Sequence, residues 1–374
     1  MTKILHFADL HLDRSFAGLG MASSEAAKRR DELRAALRRI VDLAIERDVD
    51  IVTVGGDLYE HDRVTPDTGN FIRQEFARLA PRPVLAAPGN HDPYVPDGLY
   101  WRLEWPDNVH VFQTMTWEAV QAAGCRIWGV GHRGLAIRDN LMADLRVSGG
   151  GPNIALMHGS DMSAVPEGKD AHCPFEREDI ERSGADFALL GHYHEMRLRP
   201  SDAPKYGYPG SPEPLSFGEE GAHYVFLLEA DAGKVSVEPI AINELSYRAS
   251  VLDITGLATS DAVRELIQQC AGEAVPSPQV VRVIVTGQPE PELDLDREGL
   301  LHSCAQYFRY LEIVDRTDPP FELEQIRSES TTRGMFVRLI EAQLETAQEG
   351  ERGVLQEALQ YGLQGFAGMG VRRR

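Results

Sequence analysis

The N-terminal part of the chain alternates short apolar runs with longer stretches of helical periodicity. Ile4, Leu5, His6, Phe7 and Ala8 read as a strand, and Leu33, Leu37, Ile40, Val41 and Ala44 recur at helical spacing within residues 24–47. Lys28, Arg29, Arg30, Arg34, Arg38 and Arg39 are interleaved with that stripe, most simply as the solvated side of an amphipathic helix. Residues 51–54 form the next strand. Thr65 then supplies an N-cap with Pro66 at the first helical position, opening a helix to about Leu79, and residues 83–87 form a third strand. This β-α-β-α-β order predicts parallel strands joined by right-handed crossovers.

From about Val109 the pattern shifts to shorter strands, at 109–112, 126–130, 154–157, 187–190, 224–229 and 234–239, with a helix near 177–183. Such a run suits a two-sheet α/β sandwich. Near Leu245 the character changes again. Strands at 247–254, 280–285 and 310–314 and helices at 260–270 and 297–307 read as a small, separate α+β domain, its loops acidic and proline-rich (Gln288-Pro289-Glu290-Pro291-Glu292). The remainder is helical, with one apolar stripe of Phe336, Leu339, Ile340 and Leu344 and another of Leu355, Leu359 and Leu363. Gln348-Glu349-Gly350-Glu351 reads as the turn between them, and the chain ends in Arg372-Arg373-Arg374. The expected parts are residues 1–245, 246–318 and 319–374.

Composition adds bounds. The 374 residues are 43% apolar and 26% charged, ordinary values for a globular protein, and no apolar run approaches the roughly 20 residues that cross a bilayer. Met1-Thr2-Lys3 leads straight into a strand with no signal-peptide pattern. Cys125, Cys173, Cys270 and Cys304 are scattered, which suggests buried thiols in a reducing compartment rather than a disulfide frame or zinc ribbon. A cytoplasmic location with no membrane contact is the expectation. A net charge of −20 argues against holding nucleic acid by bulk charge. It does not exclude a nucleic-acid enzyme, because carboxylates around divalent cations lose their formal charge once the cations bind.

Candidate chemistry gathers at five strand ends: Asp9-Leu10-His11, Gly55-Gly56-Asp57, Gly89-Asn90-His91-Asp92, Met157-His158-Gly159 and Gly191-His192-Tyr193-His194. Sites in α/β sheets form outside the carboxyl ends of strands, so these termini are expected to share one crevice. The flanking glycines are read as freeing the backbone to turn sharply off each strand. Asp9-x-His11 and His192-x-His194 would each put two side chains on one side of an extended segment. Mixed imidazole and carboxylate without thiolate suits Mn²⁺, Fe²⁺ or Zn²⁺. Seven candidate ligands, the Asn90 amide among them, are too many for one cation and suit two, the usual device for displacement at phosphorus. Each motif alone is weak; the five in order are not.

That ordered set, from Asp9-x-His11 to Gly191-His192-x-His194, resembles the calcineurin-like metallophosphoesterases. The resemblance implies a four-layer α/β-β/α sandwich over residues 1–245 and two bound divalent ions, Mn²⁺ foremost with Fe²⁺ and Zn²⁺ as alternatives. By position, it gives Asp9, His11, Asp57 and His194 to the first ion, and Asp57 (bridging), Asn90, His158 and His192 to the second. His91 becomes the acid that protonates the leaving oxygen and Asp92 the group that orients His91. Within the family, His11-Leu12, Gly56-Asp57-Leu58-Tyr59 and Tyr208-Pro209-Gly210-Ser211-Pro212 are similar to the DNA-repair exonuclease branch with its SbcD-type nuclease subunit. That likeness implies a DNA exo- or endonuclease acting in repair, a capping domain at 246–318, and a tail at 319–374 placed like the segment that docks on an SbcC-like coiled-coil ATPase. Homodimers are common in the branch. Packing of the tail stripes on their own domain is an equal alternative to docking.

One position departs from the branch: Glu60 stands where archaeal and eukaryotic members carry a second active-site histidine. His61, next to it, is a candidate for steadying phosphate. His132 reads as an ordinary loop histidine, and Tyr59 and Tyr193 as packing residues. The alternative function is a stand-alone nucleotide phosphodiesterase or protein phosphatase, which the net charge fits at least as well. A scaffold with a decayed site is disfavoured because every expected ligand position is filled.

Overall fold

In the computed structural model, which describes residues 1–16, 23–165, 170–231, 233–272, 277–290, 292–318 and 321–368, the N-terminal alternation becomes one sheet. Strands β1 (Thr2–Phe7), β2 (Ile51–Val54), β3 (Val84–Ala86) and β4 (Val109–Val111) run parallel. Their near-continuous apolar character is what a strand covered on both faces requires. A second sheet holds β5 (Glu118–Ala122), β6 (Cys125–Gly129), β7 (Asn153–His158), β8 (Phe187–Gly191), β9 (Arg197–Arg199) and β10 (Tyr206–Tyr208), in the order β5-β6-β7-β8-β10-β9. Then β11 (Tyr224–Asp231) and β12 (Lys234–Ala241) return antiparallel to complete the first sheet as β12-β11-β1-β2-β3-β4.

The two sheets pack face to face on Ile4, Ile51, Leu85, Phe112, Ile127, Leu156, Leu189 and Phe226. Alternate residues Leu5, Val52, Val54 and Val84 are equally buried on the opposite face, from which the crossovers α1 (Ser23–Glu46) and α2 (Pro66–Ala77) run. A one-turn α3 (Leu99–Arg102) precedes β4, and α4 (Arg177–Ser183) lays Ile180 on the outer face of the second sheet against Met157 and Leu190. This is the expected four-layer arrangement. Strands β5, β9 and β10 lie outside the sequence expectation. The first two are short, polar edge strands, and β10 is only Tyr-Gly-Tyr, so none carries a readable period.

The basic side of α1 is less solvated than its pattern predicts. Arg29 is 1% exposed; its guanidinium donates to Pro214 O at 2.8 Å, pairs with Glu32 and lies 5.3 Å above the Phe16 ring. Arg39 donates to Ile242 O at 3.1 Å and pairs with buried Glu213. These two arginines fix the 213–214 and 242–244 segments to the helix rather than facing solvent. All four cysteines are free and buried. No helix among the described residues is long and apolar enough to cross a membrane.

The chain divides into two compact units, Met1–Ser246 and Tyr247–Arg374. The second contains a three-stranded sheet, β13 (Ser246–Asp253), β14 (Ser277–Thr286) and β15 (Phe308–Asp315), with α5 (Ser260–Gln269) and α6 (Arg297–Cys304). Val263, Ile267, Val281, Val283, Leu300 and Ile313 form its core. A distinct cluster, Ile326, Val337, Leu359 and Leu363 with Phe336 and Ile340, joins α7 (Leu323–Ser328), α8 (Thr332–Thr346) and α9 (Glu349–Phe366). The stripes of α8 and α9 therefore pack largely on each other, while Met335, Leu339 and Val354 stay more than half exposed. Helix α9 already begins at Glu349, so the expected turn at 348–351 is mostly helix. Pro291 and Arg372-Arg373-Arg374 lie outside the described residues.

Candidate metal centre

Beyond their strands, the chains leaving β1 and β2 stay paired. Asp9 N donates to Gly56 O (3.0 Å), His11 N to Asp57 O (2.9 Å), Leu12 N to Leu58 O (3.0 Å) and Glu60 N to Leu12 O (2.9 Å). Extended geometry does not survive in this ladder. Asp9, His11 and Asp57 take left-handed φ values of 55°, 51° and 53°, and His192 has φ 121°. The expectation that Asp9-x-His11 and His192-x-His194 share the face of an extended segment is therefore overturned. Non-glycine residues seldom adopt positive φ, and such strain collects at functional sites. Two glycines serve close approach instead of turning. A Cβ on Gly191 would stand 2.1 Å from Gly55 O, and one on Gly89 2.3 Å from Asp57 Oδ1.

The side chains converge. His11 Nε2 lies 3.2 Å from His194 Nε2 and 3.7 Å from Asp57 Oδ2; His158 Nε2 lies 3.4 Å from the same Asp57 oxygen and 3.0 Å from Asn90 Oδ1. Among the described residues, three groups hold ligand atoms all within 4.8 Å of one another: Asp9/His11/His194, His11/Asp57/His91 and Asp9/Asp57/His158. Asp9, His11 and Asp57 are each common to two of them, so the groups form one connected cluster. His192 is placed differently. Its backbone N–H donates to both Asp9 oxygens (3.1 and 3.0 Å), while its ring stands edge-on to His158 at 5.2 Å and joins none of these groups.

The outer ring nitrogens decide what the inner ones offer. His11 Nδ1–H donates to Glu60 (2.9 Å), His194 Nδ1–H to Glu219 (3.0 Å) and His158 Nδ1–H to Gly55 O (2.9 Å). In these tautomers each Nε2 presents a lone pair inward. The Nε2 atoms of His11 and His194 lie 3.2 Å apart, and that of His158 lies 3.0 Å from the Asn90 carbonyl oxygen. Against its burial, Glu219 raises His194, so a proton bridges the first pair until a cation takes its place. Acceptors set against acceptors in a buried pocket fit a cation between them, so the residues present suit divalent metal. Burial is the first cause that lowers His11 and His158, the latter well below the ordinary imidazole range. Burial, together with the charge of Asp57, lifts Asp9 to about 7. Against its own burial, Asp57 is held far below the usual range by His158, His11 and His91.

His91 is different in kind. Its side chain is 43% exposed and its Nδ1 bonds Glu60 Oε2 at 2.8 Å. That bond raises its pKa to about 9, leaving an imidazolium at neutral pH. Asp92, expected to orient and charge-stabilise it, makes its hydrogen bonds elsewhere, while its charge adds a smaller share to the raised pKa of His91. The Asp92 carboxylate is fully buried and accepts the backbone N–H of Asp57 (2.9 Å), Leu58 (2.7 Å) and Gly89 (2.6 Å) plus the Tyr100 hydroxyl (3.1 Å). It fixes the loops that carry Asp57 and Gly89. Glu60 bonds the Nδ1 of both His91 and His11 and so orients the two rings together.

A family profile for calcineurin-like phosphoesterases matches residues 2–196, more than half of the chain. The protein belongs to this family. The phosphoesterase family is one of hydrolases with dinuclear divalent metal sites. An uncharacterized metallophosphoesterase, YhaO of Bacillus subtilis, is 27% identical over 336 residues, covering 84% of this chain and 81% of its own. The DNA double-strand break repair protein Mre11 of Methanopyrus kandleri is 25% identical over 380 positions, covering 90% and 78%. Among solved structures, TT1561 of Thermus thermophilus superposes with a TM-score of 0.37 at 16% identity, covering 64% of this chain and 98% of that one.

Several residues of this phosphoesterase centre lie outside any motif legible in the sequence. Glu219, in an unremarked loop, holds His194 and also accepts from Ser211 Oγ (3.1 Å) and Leu215 N (2.9 Å). The Tyr208–Pro212 segment secures the same histidine, Ser211 N donating to His194 O at 3.0 Å. His132 is not an ordinary loop histidine. It is fully buried, its Nε2–H donates to His158 O at 2.8 Å, and its ring stands edge-on to His158 at 5.4 Å. His61 stands with its Nε2 3.6 Å from Asp97 Oδ2. Tyr59 and Tyr193 pack as expected, the Tyr59 hydroxyl accepting from Tyr100 N (3.2 Å) and the Tyr193 hydroxyl donating to Asp161 O (3.0 Å).

Proposed function

We propose that this phosphoesterase hydrolyses phosphodiester bonds of DNA as the nuclease subunit of a repair assembly. Asp9, His11, Asp57 and His194 would hold one divalent ion, and Asp57, Asn90, His158 and His192 the other, with Mn²⁺ the ion of choice. The chemistry such a pair supplies is activation of water and neutralisation of phosphoryl charge. The observation that carries the reading is His91: a protonated, half-open imidazole beside an otherwise buried set of ligands. Glu60 holds its Nδ1–H, so its Nε2–H is free to pass to the departing oxygen as general acid. A group in that role matters most where the leaving group is a poor one, as the sugar oxygen of a nucleic acid is.

The choice of DNA rests on the Mre11-named relative, whose similarity runs through the second unit as well as the first. The exposed Met335, Leu339 and Val354 on α8 and α9 offer a surface for an SbcC-like coiled-coil ATPase. The purified protein should cleave end-labelled single- or double-stranded DNA only with added Mn²⁺. Turnover of a small chromogenic phosphodiester without DNA cleavage would favour the stand-alone nucleotide phosphodiesterase or phosphatase instead. His91→Ala should keep both equivalents of Mn²⁺ and lose about 10²–10⁴-fold in turnover on DNA; an unchanged rate removes His91 from the mechanism.

A further inference from the structure

Three of the four imidazoles given to the metals have their outer nitrogen fixed: His11 by Glu60, His194 by Glu219, His158 by Gly55 O. The fourth, His192, has no hydrogen-bond partner on its ring among the described residues. Beside it stands His172, ring centroids 5.5 Å apart and planes at 64°. The Nδ1 of His172 is buried and without a hydrogen-bond partner among the described residues. A ring with an unpartnered nitrogen and an unsecured candidate ligand therefore stand as neighbours, centroids 5.5 Å apart.

The backbone at His172 is firmly held. His172 N donates to Ser160 Oγ (3.0 Å), Ser160 N donates back to His172 O (2.8 Å), and the next residue's N–H donates to Ile137 O (2.7 Å). Ser160 is fully buried and only two residues beyond His158, so the position of His172 is tied to that of a ligand on the same side of the centre. Cys173 takes a left-handed φ of 45°, a conformation that persists only where the surroundings impose it.

We propose that His172 is the positioning residue for His192. With its proton on Nε2, His172 offers the Nδ1 lone pair to the outer N–H of His192, fixing that ring's tautomer and aiming its other nitrogen at the metal. Losing such an outer partner weakens metal affinity by about 10–100-fold. The inference rests on the reading of His192 as a ligand, and the test separates the two.

Apo protein is titrated calorimetrically with Mn²⁺, in wild type, His172→Phe and His172→Asn. Phenylalanine keeps the ring's packing without an acceptor. Asparagine gives up the ring and keeps an acceptor near the Nδ1 position. An orienting role predicts two equivalents in wild type, a second equivalent weakened about 10–100-fold in His172→Phe, and near-normal binding in His172→Asn. A packing role predicts the reverse order and overturns the proposal, as would two unchanged equivalents in both variants. Fewer than two equivalents in wild type would defeat the two-metal reading itself, and the role of His172 with it.

Discussion

Glu60→Gln isolates what holds His91. The carboxylate accepts His91 Nδ1–H at 2.8 Å and His11 Nδ1–H at 2.9 Å, and its bond is the largest cause of the His91 pKa near 9. A glutamine carries no charge and has a single acceptor oxygen for two donors. The limiting outcome is return of His91 to its ordinary value of about 6.5, which at pH 8 lowers the protonated fraction from about 90% to about 3%. Because the side chain is 43% exposed, solvent screens part of the interaction, and the alkaline limb of kcat/KM should move acidward by about one to two pH units. Bound cations displace that limb in wild type and variant alike, so the difference between the two is the quantity to measure, on a diester with a poor leaving group. Asp92→Asn is the contrast. Its amide must face at least one of the three backbone N–H groups that the carboxylate accepts, costing about 1–3 kcal/mol for each one orphaned. The denaturation midpoint and metal affinity should fall while the alkaline limb moves far less than in Glu60→Gln, because Asp92 is the smallest of the causes that raise His91. If Asp92→Asn moves the limb and Glu60→Gln does not, the assignment of roles is wrong.

The close contact of the two sheets gives a second expectation. In Gly191→Ala the new Cβ would lie 2.1 Å from Gly55 O and 2.8 Å from Ala8 Cβ, so overpacking should cost about 1–3 kcal/mol or more in a urea titration. Gly134→Ala, with nothing within 4 Å of the added atom, should stay within about 0.5 kcal/mol, and equal losses at both sites would remove the packing explanation. The third concerns Glu213, raised to about 7 first by burial despite Arg39 and Arg29. An acid whose pKa rises on folding contributes stability below its unfolded value, about 4.5, and this is lost as pH climbs through 7. The thermal midpoint of wild type should therefore decline between pH 5 and 8 relative to Glu213→Gln; parallel profiles would exclude it.

Strand ends were the legible part of this site. Buried parallel strands are written as apolar runs, so the positions at which they stop, and the polar residues found there, can be read directly. Asp9, His11, Asp57, Asn90, His158 and His194 are all brought together on that basis. Orientation was not legible. The family resemblance made Asp92 the partner of His91, yet adjacent residues in a tight loop point apart, and the bond falls to Glu60, 31 positions away. Glu219, His132 and His172 belong to no spacing pattern, because a supporting group needs only to arrive in space. The same limit explains the arginines of α1: periodicity separates apolar from basic positions but does not tell a solvated arginine from one buried over Phe16.

The left-handed aspartates show how the two loops solve one problem twice. Asp9-Leu10 and Asp57-Leu58 each place a carboxylate at φ near 55° (55° and 53°) and follow it with a fully buried leucine. The leucine anchors the loop in the sandwich, and the reversed backbone sends the aspartate into the crevice. Glycine would adopt that conformation more readily but carries no ligand. Aspartate tolerates it better than most residues and supplies the oxygen. Strain accepted at each carboxylate is secured by neighbours: the ladder from Asp9 N to Glu60 N on one side, and the amides gathered by Asp92 on the other. Asp9, its pKa raised first by burial and then by the charge of Asp57, carries an electrostatic cost besides the conformational one. A fold that sets two such carboxylates side by side is arranged around positive charge between them, and Asp92, which secures the loops, and Glu60, which holds His11 and His91, govern how well the centre is formed.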